Sequence, residues 1–218
     1  MALPKQEAFT GTEANLTSVS GWTANNGTLN RTGSGTGSVS SAGSNQTTLY
    51  HWEGDGAFGA AQYAQIKLTA VGSTYQGVAL RVPSGSIGGY YFYTNGSASY
   101  CGKFNSDGST DESDSGWGVD KGSFANGDVL RMEVDANFTF TVKKNGTPIG
   151  STFTDPDSSF ASGYAGIAAY DSDYPNHTVD DWEGGNVGGG SSVKPGMTVN
   201  RGMGRGINRG AVRYPTKR

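Results

Sequence analysis

The stretch from Val129 to Thr147 constrains the fold of this chain more than any other. Leu130, Met132 and Val134 alternate with Arg131 and Glu133, and Phe138, Phe140 and Val142 alternate with Thr139, Thr141 and Lys143. Successive side chains on a strand point to opposite faces, so each run predicts a strand with one buried and one wet face. Lys144-Asn145-Gly146-Thr147 comes next. A type I′ turn needs positive φ at both central residues, which Asn-Gly adopts at low cost, so the chain is predicted to turn back at Asn145-Gly146 as a hairpin.

The same two-residue period recurs. Ala64, Ile66, Leu68 and Ala70 share one face of a predicted strand, and Val78, Leu80 and Val82 share one face of the next, with Arg81 opposite. Gly89 to Thr94 is an aromatic run without a polar face, which predicts a strand covered on both sides. Two more strands are predicted at 163–170 and 178–182. Between Trp22 and Tyr50 only Leu29, Val39 and Leu49 break a Gly/Ser/Thr/Asn background, which predicts short strands. No run has a period near 3.6 residues. Glycine supplies 36 of 218 residues, but aromatics at 11% leave enough core material to exclude a disordered or collagen-like chain. The expectation is an all-β, antiparallel β-sandwich of about 10–14 strands. It occupies residues 18–187, with a polar lead-in at 1–17 and a Gly-rich linker and basic C-terminal arm at 188–218.

These strands resemble, in order and rough spacing, the concanavalin-like jelly-roll sandwiches of lectins, laminin-G-like domains and glucanases. The stretches that carry the resemblance are Gln62-Tyr63-Ala64-Gln65-Ile66, Gly77 to Val82, Gly89 to Tyr93, Asn126 to Val134, Asn145 to Gly150, Phe160 to Ile167, and Val179-Asp180-Asp181-Trp182. The resemblance implies two curved antiparallel sheets with an accessible concave face. It speaks for fold far more than for function.

The net charge of −3 conceals a division. From Gly188 onward there are seven basic residues and no acids, a tail of +7; the other nine basic residues share the body with all 19 acids, leaving it at −10. Arg201, Arg205, Arg209 and Arg213 recur every four residues, with glycines that would weaken any helix. The expectation is an extended arm that binds an acidic partner. Lys194, Arg201, Arg205, Arg209 and Arg213 would supply charge, and Met203, Ile207 and Tyr214 apolar plugs. Arg-Gly repeats also bind RNA, but the interleaved apolar residues favour a protein groove over nucleic acid.

Several chemistries are weighed against this background. One cysteine, Cys101, and two distant histidines, His51 and His177, exclude an intramolecular disulfide and a zinc cluster. The first ten residues hold no apolar leader and no window is apolar enough to cross a membrane, so cytoplasmic folding is expected. Sandwich glycosidases carry Glu-x-Asp-x-(x)-Glu on one strand. Glu133-Val134-Asp135 begins that pattern, but Asn137 and Phe138 stand where the second Glu belongs. Asp181 and Glu183 form another partial pair. Neither makes a complete site, and a non-enzymatic protein is expected. Asp107, Asp111, Glu112 and Asp114, and later Asp171 and Asp173, offer oxygens of the kind calcium takes. Acidic Ser/Gly-rich loops of this sort are usually just solvated, so no metal or cofactor is assigned. Tyr91, Tyr93, Tyr100 and Trp117 are candidates for stacking on sugar rings.

Together these features lead to an expected virion structural protein, assembled in a host cytoplasm and decorating a phage capsid as a cement protein. Its arm would hold the coat protein or neighbouring copies, with a homotrimer plausible. The alternative is a lectin-like carbohydrate-binding module on a phage tail or capsid, used to adhere to cell-surface glycans.

Overall fold

The computed structural model describes residues 5–9, 14–31, 37–40, 47–54, 56–114, 116–170 and 177–188. These residues form two antiparallel sheets. In chain order the strands are β1 (Lys5–Glu7), β2 (Ala14–Asn15), β3 (Trp22–Asn26), β4 (Thr28–Arg31), β5 (Gly37–Ser40), β6 (Thr47–Trp52), β7 (Gln62–Ala70), β8 (Tyr75–Val82) and β9 (Gly89–Thr94). They continue with β10 (Ser99–Phe104), β11 (Thr110–Asp111), β12 (Val129–Val134), β13 (Thr139–Lys144), β14 (Thr147–Pro148), β15 (Phe153–Thr154), β16 (Tyr164–Tyr170) and β17 (Thr178–Asn186). A single 3₁₀ turn at Leu16–Ser18 is the one helical element among the described residues, and no helix there is long and apolar enough to cross a membrane.

The larger sheet runs β14-β13-β12-β7-β17-β5-β4-β2, with β1 added along β17 and β15 along β13. The smaller runs β11-β10-β9-β8-β16-β6-β3. The alternating runs behave as their period requires. Ala64, Ile66 and Leu68 of β7 and Leu130, Met132 and Val134 of β12 are fully buried, and they meet Val78 and Leu80 of β8, Tyr90 and Phe92 of β9 and Ile167 of β16 across the interior. Burying each such side chain contributes about 1.5–3 kcal/mol, so this layer is what holds the sheets together. Asn145 and Gly146 turn the chain at φ 52° and 79°. Cys101 is buried in the same core, and that burial pushes its thiol pKa up.

Tertiary structure departs from local pattern in four places. Residues of the expected lead-in belong to the sandwich: β1 pairs with β17, and Phe9 and Leu16 are fully buried. The last strand, expected to end at 182, runs on, and Glu183 to Asn186 continue β17 along β7. Phe138 is in a turn at φ 59°, so the inward run of β13 starts at Phe140. Arg81, expected on the face opposite Val78, Leu80 and Val82, is fully buried at φ 51°, and the pairing of β8 with β16 shifts beside it. That shift sends Val82 to the opposite face from Val78 and Leu80. The Arg81 guanidinium lies 4.2 Å from the Phe138 ring and donates to the carbonyls of Phe160 at 3.0 Å and Asp135 at 2.8 Å, as well as to Ala60. A buried cation is tolerated there because carbonyl oxygens replace its lost water.

Candidate functional site

The outer face of the seven-stranded sheet carries a second apolar cluster, separate from the core: Leu49, Ala79, Val82, Tyr91, Tyr93, Phe104 and Ala168. Side chains that point away from a sandwich core are normally wet. Here the turn 105–109, between β10 and β11, folds over them, and the Thr47 hydroxyl donates to the Gly108 carbonyl at 2.6 Å. Gly102 makes room beneath: a Cβ there would meet the Tyr91 hydroxyl end and the Asp111 carbonyl.

Tyr91 and Tyr93 stack with ring centroids 4.3 Å apart, and both hydroxyls donate to Glu112. Burial raises both phenol pKa values, and the Glu112 carboxylate raises them further. Both rings are closed off, with Tyr91 at 0% and Tyr93 at 5% exposure, so neither offers a face to a ligand. Trp117 has a different fate. It packs in the core 4.9 Å from Phe153 and 5.2 Å from Phe140, and its indole N–H donates to the Thr154 carbonyl at 3.2 Å. Of the four aromatic candidates, only Tyr100 keeps an exposed part.

The structure adds two rings that the sequence did not single out. Tyr75 at the start of β8 and Tyr170 at the end of β16 are direct cross-strand partners, half-buried against the same cluster as Tyr100. Tyr75 lies 4.8 Å from Tyr93 and 5.8 Å from Tyr100. The signal for them was the period of their strands, but only sheet order brings them together.

Two cavities open beside the covering turn. One, of about 530 Å³, is lined by Tyr170, Asn26, Thr47, Asp107, Ser109, Thr110 and Ile87. The other, of about 560 Å³, is lined by Ile87 again with Lys103, Asn105, Asp111, Asp157 and Phe160. An aromatic wall with several hydroxyl, amide and carboxylate groups is the lining of a small polar ligand's site.

The acidic residues considered for calcium do not converge. Asp107 and Asp111 each cap their own turn, Glu112 goes to the tyrosines, and Asp114 turns to Lys103. Asp171 and Asp173 lie outside the described residues. Asp114, Asp155 and Asp157 do bring oxygens within 4.8 Å of one another. However, the Lys103 ammonium sits among them at 2.9, 3.4 and 3.6 Å, where a metal would have to stand.

The carboxylates considered for catalysis are on the outer face of the larger sheet. Glu133 is held by Arg131 and Lys143, each at 2.7 Å, and Asp135 caps the turn to β13 by accepting from the amides of Asn137 and Thr139 at 2.8 Å. Asp181, at φ 48°, and Glu183 line a groove of about 330 Å³ with Gln6, Gln65 and Lys67. The arm residues Lys194, Arg201, Met203, Arg205, Ile207, Arg209, Arg213 and Tyr214 all lie outside the described residues.

No family model matches the chain, and no curated protein shows a significant match. Solved structures do match in shape. A carbohydrate binding module, CBM66 from Bacillus subtilis, superposes with a TM-score of 0.51 at 16% identity, covering 74% of this chain and 91% of its own. The potassium-bound carbohydrate recognition domain of Emp46p gives 0.51 at 10% identity, covering 82% and 94%. The Crh5 transglycosylase gives 0.56 at 13% identity, covering 85% of each chain.

The fold is a concanavalin-like jelly roll.

At these identities the likeness is one of fold alone. It corrects one expectation. The chain was expected to be non-enzymatic because neither carboxylate pair completes a site, yet the same fold carries a transglycosylase, so catalysis is not set aside.

Proposed function

We propose that this chain is a carbohydrate-binding module that takes a glycan on the outer face of its seven-stranded sheet. The observation that carries this is the cavity of about 530 Å³ in which the Tyr170 ring stands beside Asn26, Asp107, Ser109 and Thr110. An aromatic face stacks on the C–H side of a sugar ring, while amide, hydroxyl and carboxylate groups bond its hydroxyls. The fold shared with a carbohydrate binding module and a carbohydrate recognition domain supports the same reading. Calorimetric titration with neutral and amino-sugar oligosaccharides tests it. Binding is expected, with about a ten-fold loss for Tyr170→Ala and a smaller one for Tyr100→Ala. Silence across both classes, or full binding by both variants, would overturn it.

The charge division supports a second and separate proposal, that the arm docks this module onto a virion surface by binding coat protein or a neighbouring copy. The support is the tail of +7 beside a body of −10. Deleting residues 188–218 is then expected to abolish incorporation into particles, and undiminished occupancy would refute it.

A further inference from the structure

We propose that the sandwich binds an internal water in its core, held by Gln76 of β8 and Thr48 of β6; this site is separate from the glycan face proposed above. Gln76 is 1% exposed and Thr48 is 2% exposed. Each is a direct cross-strand partner of Ala169 on β16, one from either side, so the three residues form a row across β8, β16 and β6. Directly opposed residues of a sheet share a face. Ala169 packs in the main core cluster with Ile167 and Val78, so the row points to the interior.

Both side chains bring polar atoms into that interior and find no protein partner there. Neither Nε2 nor Oε1 of Gln76 has a hydrogen bond, and neither does Oγ1 of Thr48. Two comparable buried groups are satisfied by the protein itself. Gln62, at 0% exposure, donates through Nε2 to the carbonyls of Gly59 at 3.1 Å and Gly163 at 3.3 Å, and its Oε1 accepts from the Arg81 amide at 3.0 Å. Thr94, which pairs with Gln76 in the same row, donates to the Ala98 carbonyl at 2.8 Å and accepts from the Gly96 amide at 2.9 Å. Buried polar side chains nearly always have a partner, either protein or ordered water, and Gln76 and Thr48 lack the first kind.

Water suits this place chemically. The backbones of Gln76 and Thr48 lie two strand spacings apart, about 9.6 Å, and Ala169 between them carries only a methyl group. A water above that methyl is within reach of both side chains. Gln76 offers N–H donors and a carbonyl acceptor, and Thr48 a hydroxyl that does both, which matches the two donors and two lone pairs of water. A buried water makes about three hydrogen bonds, and the pair presents three polar atoms. The Trp22 indole N–H also has no hydrogen bond, but the rings of Phe9, Trp52 and Trp182 stand around it with centroids at 6.3, 5.7 and 4.7 Å. An aromatic enclosure of that kind offers water no further partners, so the water is assigned to the Gln76 row and not to Trp22.

The test combines a crystal structure of the full chain with oxygen-17 relaxation dispersion of the solvent, whose amplitude counts long-lived internal waters. Water density is expected within about 3.2 Å of a Gln76 amide atom and of Thr48 Oγ1. Gln76→Leu and Thr48→Val each put an apolar group of similar size in place of a polar one, and each is expected to lower the internal water count by one. The double variant is expected to unfold at a urea midpoint at or above that of either single variant, because removing both polar groups leaves neither one unpaired. A crystal structure in which the Gln76 amide meets a protein group or no density at all overturns the proposal. An unchanged water count in either folded variant overturns it as well. Where Gln76→Leu does not fold, the density around Gln76 and the count in Thr48→Val decide.

Discussion

The outer faces of the two sheets are built from the same alternating strands and reach opposite solutions. On the larger sheet, carboxylates and cations neutralise one another in place: Glu133 with Arg131 and Lys143, and Asp128 with Lys144 at 2.9 Å. Arg131 also stands over the Tyr63 ring, 3.6 Å from its centroid. That face is a solvated charge lattice. On the smaller sheet, tyrosines and apolar residues fill the outward positions, a turn lies across them, and Asp107 of that turn bonds to Ser109 instead of a cation. The difference teaches that an outward strand position is wet only when nothing is folded over it, and a face closed in this way can hold cavities.

The largest effect is expected at Lys103, which stands beside Tyr90 on the core side of the smaller sheet. Replacing it with alanine leaves Asp114, Asp155 and Asp157 without their cation in a largely buried setting, and a loss of about 3 kcal/mol is expected in urea unfolding. A change below 1 kcal/mol would mean that this carboxylate cluster is as solvated as the ion pairs of the larger sheet. Tyr91→Phe comes next. It removes the hydroxyl that reaches Glu112 while keeping the ring stack, and should cost about 1.5 kcal/mol.

Acid sharpens the contrast further. Burial lowers the His51 pKa from its ordinary 6.5, against the pull of Glu53 at 2.7 Å, so the fold favours the neutral ring. Burial would raise the Asp155 pKa, but the bond from the Tyr90 hydroxyl at 2.5 Å, the Ser159 amide and Lys103 together hold it low. In each case the unfolded chain binds the proton more readily than the fold does. Stability is therefore full above pH 6.5, falls first as His51 resists protonation, and falls again below the ordinary carboxylate range. Denaturation midpoints against pH should show both steps, with His51→Gln removing the upper one. The smallest effect belongs to the larger sheet: Glu133→Gln should cost less than about 1 kcal/mol, and that cost should shrink further in high salt.

The strands were legible wherever burial alternates within a few residues, as in β7 and β12, because side-chain direction there depends only on the local backbone. The Asn145-Gly146 turn was legible for the same reason. The sugar-binding candidates were not sorted by that logic. Trp117 sits in a turn-rich segment with no period, so nothing local announced that Phe140 and Phe153 would enclose it. Tyr75 and Tyr170 end two strands far apart in the chain, and their pairing exists only because β8 and β16 are neighbours. Phe9 and Leu16 looked like a polar lead-in because a lone buried residue, after a three-residue strand or in a 3₁₀ turn, leaves no pattern to read.

From sequence alone came the all-β architecture, the period of its strands, the hairpin at Asn145-Gly146 and the division between a body of −10 and a tail of +7. Each of these depends on residue type and near neighbours. Tertiary structure alone decided which outward face is covered, which tyrosines keep an exposed edge, and that the Lys103 ammonium stands among three carboxylates. Those outcomes depend on which distant strands lie side by side and on where the turn 105–109 comes to rest, and local spacing carries no information about either.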